Sequence, residues 1–266
     1  MNFIDKKKER IKRKQMGLLT KTAFIKKILY EKPFPIKMIN FNPVIPLNIF
    51  QTWHTKLLPP NMAKSVAKIK KLNPRFNYHL FDDTDCENFI AKYFKSDVLY
   101  AYKKLLPGAY KADLWRYCVL YVYGGIYLDI KYKPHHNFRF INLMESEHFC
   151  LDIDGNNIYN AVMVCNKGNN SCFKAIRQIV THVANKFYGN SCLDITGPGL
   201  LAKCLSHSDK QFIDLRHTVL ENFNNRYVIY KGFCILKQYD GYLDECGKHS
   251  KTPHYSALWN EKRVYN

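Results

Sequence analysis

The sequence has few acidic residues and no long apolar run. Its 266 residues include 22 Asp and Glu against 41 Lys and Arg, which gives a formal net charge of +19. No apolar stretch approaches the ~20 residues that a membrane-spanning helix needs. The first residues, MNFIDKKKERIKRKQ, also lack the apolar core of a secretory signal. We therefore expect a cytoplasmic protein, in a host cytoplasm if the gene is viral.

Cysteine is present without the spacing of a metal or disulfide framework. The nine cysteines form no C-x-x-C pair, and their number is odd. This pattern argues against a zinc site and against a disulfide-stabilised fold. We expect free cysteines that pack as small hydrophobic residues in a reducing compartment.

The positive charge is concentrated at the start of the chain. Residues 1–40 have a net charge of +9, which leaves +10 for the other 226 residues. We interpret residues 1–40 as a basic N-terminal extension and residues 41–266 as one folded domain. The charge favours acidic partners such as an anionic membrane surface. Nucleic acid is a less favoured partner, because the basic residues form no recognised nucleic-acid motif.

Apolar periodicity predicts strands and helices in alternation. The predicted strands are residues 44–53, 75–83, 126–131, 147–153, 161–165, 226–230 and 233–237. The predicted helices are residues 60–72, 86–93, 96–106, 109–123, 170–187 and 197–206. This order is typical of an α/β fold with helices on both faces of the sheet.

Polar residues are placed unusually around the run GGIYLDIKYKP, residues 124–134. Tyr127, Asp129 and Lys131 alternate with apolar residues, which predicts a strand with one buried and one polar face. Asp113 and Arg116 precede them on one face of a helix. Since ligands of α/β proteins bind at the carboxyl ends of strands, these five side chains form the candidate site.

The segment KADLWRYCVLYVYGGIYLDIKYKP, residues 111–134, resembles the core of glycosyltransferase family 32. That D-x-D family includes fungal Golgi mannosyltransferases, and a similar core occurs in large clostridial glucosylating toxins. The segments IPLNIFQTWHT, FNYHLFDDTDCENFI, NAVMVCNKG and DITGPGLL resemble further motifs of the family in the same order. The resemblance implies a GT-A-like (Rossmann-like) nucleotide-sugar transferase fold with a mixed central sheet and helices on both faces.

The resemblance also implies an activity and a set of site residues. The expected reaction moves a sugar from a UDP- or GDP-hexose to a hydroxyl of a glycan or other glycoconjugate, with retention at the anomeric carbon. The expected catalytic residues are Asp129, Asp113 and Arg116. The donor would be held by these three together with Trp53, Tyr127, Lys131 and Trp259.

Lys131 departs from the D-x-D pattern, since it stands where the family has its second carboxylate. The family binds Mn²⁺ or Mg²⁺ there, and an ammonium cannot ligate a metal ion. Three interpretations stay open. Lys131 replaces the metal; or Asp129 holds the metal with His254 from the C-terminal tail; or the site is inactive.

Two other D-x-D strings have simpler interpretations. Asp83-Thr84-Asp85 stands at a predicted helix start, where carboxylates cap backbone amides. Asp152-Ile153-Asp154 precedes Gly155, which predicts a turn. The alternative places Asp152, Asp154 and Asn160 on the acceptor side of the site.

Two further hypotheses compete with an active transferase. The charge of +19 is compatible with a basic protein that binds nucleic acid or an anionic surface, and such binding would weaken steeply with salt. Lys131 is compatible with an inactive relative that binds a sugar nucleotide without turnover.

Overall fold

A computed structural model describes residues 32–35, 42–220, 225–249 and 252–266. The basic extension expected for residues 1–40 lies outside the described residues, except for 32–35. Phe34 in that short stretch packs against Phe138 and Tyr230, with ring centroids 5.2 and 5.7 Å away. This part of the expected extension is therefore in contact with the folded domain.

The described residues form strands and helices in alternation. In chain order they are β1 (Asn48–Thr52), α1 (Pro60–Leu72), β2 (Asn77–Phe81), α2 (Asp83–Tyr93), α3 (Ser96–Lys104), α4 (Gly108–Tyr123), β3 (Gly125–Leu128), β4 (Tyr132–Pro134), β5 (His148–Leu151), β6 (Ile158–Cys165), α5 (Asn170–Ala184), α6 (Pro198–Cys204), α7 (His207–Lys210), β7 (Ile213–Leu220), β8 (Asn225–Tyr230), β9 (Phe233–Gln238), α8 (Tyr242–His249) and α9 (Tyr255–Asn260). A 3₁₀ turn, Phe140–Leu143, lies between β4 and β5.

The described strands form one mixed sheet in the order β2-β1-β3-β6-β5-β7-β8-β9-β4. The β1 strand pairs in parallel with both β2 and β3, whereas β3 pairs antiparallel with β6. Two clusters of buried apolar residues cover its two faces. Tyr127 of β3 belongs to one cluster, and Ile126 and Leu128 belong to the other. The predicted α/β fold with a doubly covered sheet is confirmed.

Helix α2 begins as the sequence predicts. Asp82 is its N-cap and accepts a hydrogen bond from the Asp85 amide at 2.9 Å, and Asp85 accepts one from the Asp82 amide. Lys56 pairs with Asp85 at 2.5 Å. Asp85 of the first D-x-D string therefore forms a capping box with Asp82, which satisfies the backbone amides of both residues.

The strand predicted at residues 126–131 was too long. The β3 strand ends at Leu128, and residues 129–131 form a turn. The Asp129 amide still donates to the Ala161 carbonyl of β6 at 2.8 Å, and the Asp129 carbonyl then accepts from the Tyr132 amide at 3.0 Å. This turn redirects the chain so that β4 pairs with β9 at the far edge of the sheet.

The sequence patterns did not predict β4, β7, α7, α8 or α9. They did predict free, mostly buried cysteines. All nine lie in the described residues and are free, and only Cys192 and Cys246 are partly exposed. As for membranes, the described part of the chain contains no helix that is long and apolar enough to span a bilayer.

Candidate active site

Two glycines determine how α4 meets β3. Gly124 has φ = 63° and Gly125 has φ = 119°, conformations that other residues rarely adopt. A Cβ atom on Gly124 would lie 2.6 Å from the Lys167 amide nitrogen, and one on Gly125 would lie 2.7 Å from the Asn48 carbonyl oxygen. The glycines therefore allow α4 to end directly against the sheet, which places its Asp113–Arg116 face beside the end of β3.

Arg116 is buried and joins two carboxylates. Its Nη2 lies 3.1 Å from Asp113 Oδ1 and 3.4 Å from Asp129 Oδ1. Its Nη1 donates to the Asn160 carbonyl at 2.8 Å, and the guanidinium lies over the Tyr127 ring at 4.3 Å. The sequence analysis predicted that these side chains would meet, and the structure brings them together.

Asp129 is held on both carboxylate oxygens. Tyr127 donates its hydroxyl to Oδ1 at 2.8 Å, and Lys131 Nζ donates to Oδ2 at 2.7 Å. Burial by itself would raise the pKa of Asp129, but the charges of Lys131 and Arg116 outweigh it and hold the pKa below its usual value. Asp129 is therefore a carboxylate near neutral pH.

Asp113 sits in a different environment. Its Oδ1 accepts from Asn160 Nδ2 at 3.0 Å, and its Oδ2 accepts from Thr196 Oγ1 at 2.7 Å. Burial raises the pKa of Asp113 despite the attraction of Arg116. Asn160 also donates to the Tyr117 hydroxyl at 2.9 Å. The amide of Asn160 thus ties β6 to α4, and the carboxylate of Asp113 is rigidly oriented.

These groups line one cleft of about 320 Å³. Its charged side chains are Asp113, Asp129, Asp152, Arg116, Lys131 and Arg226. Tyr159 and Tyr255 contribute aromatic surface, and Gly197 and Pro198 lie at the start of α6. A cleft with fixed acceptors, donors and aromatic rings suits a polyhydroxylated, charged ligand.

His217 is a cleft residue that the sequence analysis missed. Its Nδ1 lies 2.8 Å from Asp152 Oδ1, and its ring stacks on Tyr159 at 3.8 Å. Burial lowers the pKa of His217 even though Asp152 opposes this shift. Its Nε2 is buried and finds no hydrogen-bond partner in the described residues. The buried Leu215 and His217 are separated by an exposed residue, and this period of two was the available signal.

The other acceptor-side residues lie in different surroundings. Asp154 accepts from the amides of Asn156 and Asn157 at 2.9 Å, so it caps the turn that the sequence predicts. Asp152 lines the cleft, and both recorded hydrogen bonds to its carboxylate end on Oδ1, from His217 and the Ile153 amide. The Oδ2 atom of Asp152 therefore has no recorded partner in the described chain.

Besides Tyr127 and Asp154, three predicted site residues do not line the cleft. Trp53 packs against the cluster that contains Ile130, and its buried Nε1 has no partner among the described residues. Trp259 packs on the core and donates its Nε1 to the Tyr188 carbonyl at 2.7 Å. His254 caps α9, with Nδ1 2.7 Å from the Ser256 hydroxyl oxygen. Donor contacts by the two tryptophans stay predictions.

The side chains present do not fit a divalent cation. Both oxygens of Asp129 are engaged by hydrogen-bond donors, and the second acidic position of the motif is the cation Lys131. The described residues contain no group of three or more His, Cys, Asp or Glu side chains that could hold a metal ion. A Mn²⁺ or Mg²⁺ ion needs several oxygen ligands, so the expected pair of Asp129 and His254 does not form a site for it.

The comparisons with known proteins point to one class of enzyme. Residues 59–149 match the family described as "Glycosyltransferase sugar-binding region containing DXD motif". This stretch contains Asp113, Arg116, Tyr127, Asp129 and Lys131. Asp152, His217 and Arg226, which also line the cleft, lie beyond this stretch in the sequence.

Curated relatives agree with this match. The chain is 34% identical over 106 residues to inositol phosphoceramide mannosyltransferase 2 of Schizosaccharomyces pombe. This alignment covers 38% of this chain and 30% of the relative. It is 34% identical over 89 residues to an uncharacterized glycosyltransferase of Acanthamoeba polyphaga mimivirus. That alignment covers 33% of this chain and 36% of the relative. The chain thus spans only about a third of the length of these relatives.

A solved structure agrees on the fold. The PaToxG glycosyltransferase superposes with a TM-score of 0.50 at 19% identity, over 60% of this chain and 68% of that chain. The mixed α/β architecture is that of a GT-A-type domain. Residues 59–149 are thus similar to the DXD-type sugar-binding region of glycosyltransferases, and the fold agrees with this similarity.

Proposed function

We propose that the chain transfers a hexose from a nucleotide-sugar to a hydroxyl of a glycan or other glycoconjugate. One observation carries the proposal. The buried network of Asp113, Arg116, Asp129 and Lys131 lies within the matched family region and lines a cleft of about 320 Å³. Burying charged side chains costs free energy, because they lose their hydration. An ion pair with no role in binding would be expected at the solvent-exposed surface instead.

On the donor side, the network offers fixed hydrogen-bonding groups. Arg116 and Asp113 are held by Asn160 and Thr196, so they are oriented before any ligand enters. Preorganised groups of this kind lower the cost of binding and of charge development in a transition state. We assign them to sugar hydroxyls, with Asp129 beside the sugar and ribose.

On the acceptor side, we assign Asp152 to the attacking hydroxyl. Its Oδ2 lies in the cleft carboxylate without a hydrogen-bond partner among the described residues, and His217 Nδ1 lies 2.8 Å from Oδ1. Asp152 can accept the hydroxyl proton, while His217 keeps the carboxylate oriented. Asn160, also given to the acceptor side by the sequence, lines the cleft and connects α4 and β6 through its contacts with Asp113 and Arg116.

Asp152→Asn is expected to slow sugar transfer by about 100-fold, the scale of general base catalysis. His217→Gln removes an orienting contact, so it should lower kcat more than it raises the KM of the donor. Both variants should bind UDP or GDP as the parent does in titration calorimetry. Loss of nucleotide binding in Asp152→Asn would place this residue on the donor side and contradict the assignment.

The donor sugar and the stereochemistry belong to the proposal as well. One relative is named a mannosyltransferase that acts on inositol phosphoceramide, so mannose donors and that lipid are the first substrates to test. Retention at the anomeric carbon rests on the family resemblance. Proton NMR of the first product formed would distinguish retention from inversion.

The deciding experiment is release of nucleoside diphosphate from a panel of UDP- and GDP-hexoses, with and without candidate acceptors. We expect release with one donor and a loss of about 100-fold or more in Asp129→Asn. Asp240→Asn is the matched control, because Asp240 is an exposed carboxylate that also pairs with lysines, Lys133 and Lys237. Donor turnover that survives in Asp129→Asn would contradict this site.

Binding without turnover would favour the inactive, sugar-nucleotide-binding alternative. The cytoplasmic location stays a prediction from the sequence. A membrane contact through the basic N-terminal extension also stays a prediction, since most of residues 1–40 lies outside the described residues.

A further inference from the structure

Lys131 is a cation built into the place where the family has its second carboxylate. Its Nζ lies 2.7 Å from Asp129 Oδ2, and its side chain is only 13% exposed. The ammonium also lies 5.5 Å from the ring centre of Tyr132 and 5.2 Å from that of Tyr159. These contacts hold the charge at the cleft surface rather than in open solvent.

The ammonium keeps donors to spare. An ammonium has three N–H groups, and in the described part of the chain Asp129 is the single acceptor recorded for them. Burial would lower the pKa of Lys131, but Asp129 and the neighbouring tyrosines raise it, so the group is protonated at neutral pH. A buried ammonium with unused donors favours an anionic ligand in the cleft.

Arg226 adds a further positive charge to the same cleft, beside those of Lys131 and Arg116. It forms no ion pair with a carboxylate of the described residues, whereas Arg116 is shared by Asp113 and Asp129. Burial opposes its charge, yet Tyr159 and Tyr132 keep the pKa of Arg226 raised. Lys131 lies over the Tyr159 ring, and Arg226 interacts with the same tyrosine, so both cations belong to the part of the cleft around Tyr159.

The same geometry disfavours a metal ion at Asp129. A cation that approached Oδ2 would meet the Lys131 ammonium, which already lies 2.7 Å from that oxygen. The other oxygen is shared by Tyr127 and Arg116. A divalent ion would therefore have to displace both a hydrogen-bond donor and a positive charge.

We infer that Lys131, assisted by Arg226, neutralises the diphosphate of the donor, so that this glycosyltransferase site works without a divalent cation. The inference rests on the proposed function. The bond between the anomeric carbon and the diphosphate oxygen breaks, and its electron pair stays on the diphosphate beside Lys131. The acceptor oxygen forms the new bond to that carbon, and its proton passes to Asp152.

The test measures UDP and GDP binding by titration calorimetry, and donor turnover, each in EDTA and in Mn²⁺. For the parent chain we expect values within about twofold in the two conditions. Lys131→Met should weaken binding by about 10-fold or more, as expected for a lost charge-assisted hydrogen bond. Lys133→Met is the matched control, since Lys133 pairs with the exposed Asp240 and does not line the cleft.

The Lys131→Asp variant is the most decisive variant of this test, because it restores the second carboxylate of the D-x-D motif. We expect this variant to bind nucleotide poorly in EDTA and to recover with Mn²⁺, whereas Lys131→Arg should stay independent of metal. Circular dichroism of each variant checks that it is folded.

The outcomes separate the inference from the function. Nucleotide binding or turnover by the parent that is lost in EDTA would overturn the inference and leave the transferase proposal standing. Metal-independent binding that depends on Lys131, without turnover of any donor, would support the inference and count against the proposed function. No binding of either nucleotide in either condition would overturn both.

Discussion

At the scale of single residues, Arg116 is the group on which the site's charges depend. It lies within 3.4 Å of two carboxylate oxygens, and its own side chain is 6% exposed. Removing Arg116 leaves the negative charges of Asp113 and Asp129 close together without the cation that both contact. A buried charge without its partner is far less stable than a surface one.

We therefore predict that Arg116→Met lowers the free energy of unfolding by about 3–5 kcal/mol. Arg177→Met is the control, because Arg177 forms an exposed ion pair with Asp97 at 2.6 Å. Its cost should stay below about 1 kcal/mol. Urea denaturation of both variants measures the difference, and equal losses would show that burial of the Arg116 network contributes nothing special.

At the scale of elements, the junction between α4 and β3 positions the cleft. The glycine pair predicted the end of the helix and the start of a strand, and both are found where expected. The end of β3 before Asp129 was not predictable from its own sequence, because the Asp129 amide donates to a distant acceptor, the Ala161 carbonyl of β6. A period-two pattern shows that a strand forms but not where its partner ends.

Gly124→Ala tests the junction. Gly124 has φ = 63°, and an added Cβ would lie 2.6 Å from the Lys167 amide nitrogen. Gly155→Ala is the matched control, since Gly155 has φ = 73° and no atom within 4 Å of the added Cβ. The left-handed conformation alone costs about 1–2 kcal/mol, and the contact should make Gly124→Ala clearly worse in thermal denaturation. Equal shifts in the melting temperature would contradict a tight junction.

The pairing of His217 with Asp152 shows the same limit of local pattern. The two residues are 65 positions apart, and the β7 strand that carries His217 was not predicted. By contrast, the Asp113–Arg116 spacing is local to one helix, and the sequence located it directly. The residue that was not predicted, His217, is therefore one whose contact partner is distant in the sequence.

At the scale of the whole molecule, buried histidines couple stability to pH. Burial lowers the pKa of His79, His182 and His217 in the folded chain. A lowered folded pKa means that the folded state binds fewer protons than the unfolded state. Stability is then full above the unfolded value of about 6.5 and falls as the pH drops below it.

We predict a lower urea midpoint at pH 5.5 than at pH 7.5, at constant ionic strength. His217→Gln should reduce the difference between the two midpoints, because one of the titrating groups is removed. Asp129 acts at a lower pH, since its lowered pKa keeps a stabilising carboxylate until the medium is strongly acid. A midpoint that rises on acidification would contradict the burial of these histidines.

The fold as a whole was predictable in class because alternating strands and helices carry strong local signals. The cleft was predictable in part. Asp113, Arg116, Asp129 and Lys131 lie within the matched residues 59–149, and the sequence also offered Asp152 and Asn160 as an alternative, whereas His217 and Arg226 come from strands that only the folded sheet brings to the cleft.

The most direct test is a crystal structure of the chain with the bound nucleoside diphosphate, grown in EDTA. We expect the diphosphate in the cleft, with an oxygen within about 3 Å of Lys131 Nζ, the distance of a charge-assisted hydrogen bond. A nucleotide bound elsewhere would contradict the site. A diphosphate that enters the cleft only when Mn²⁺ is added, with the ion on Asp129, would contradict the role of Lys131.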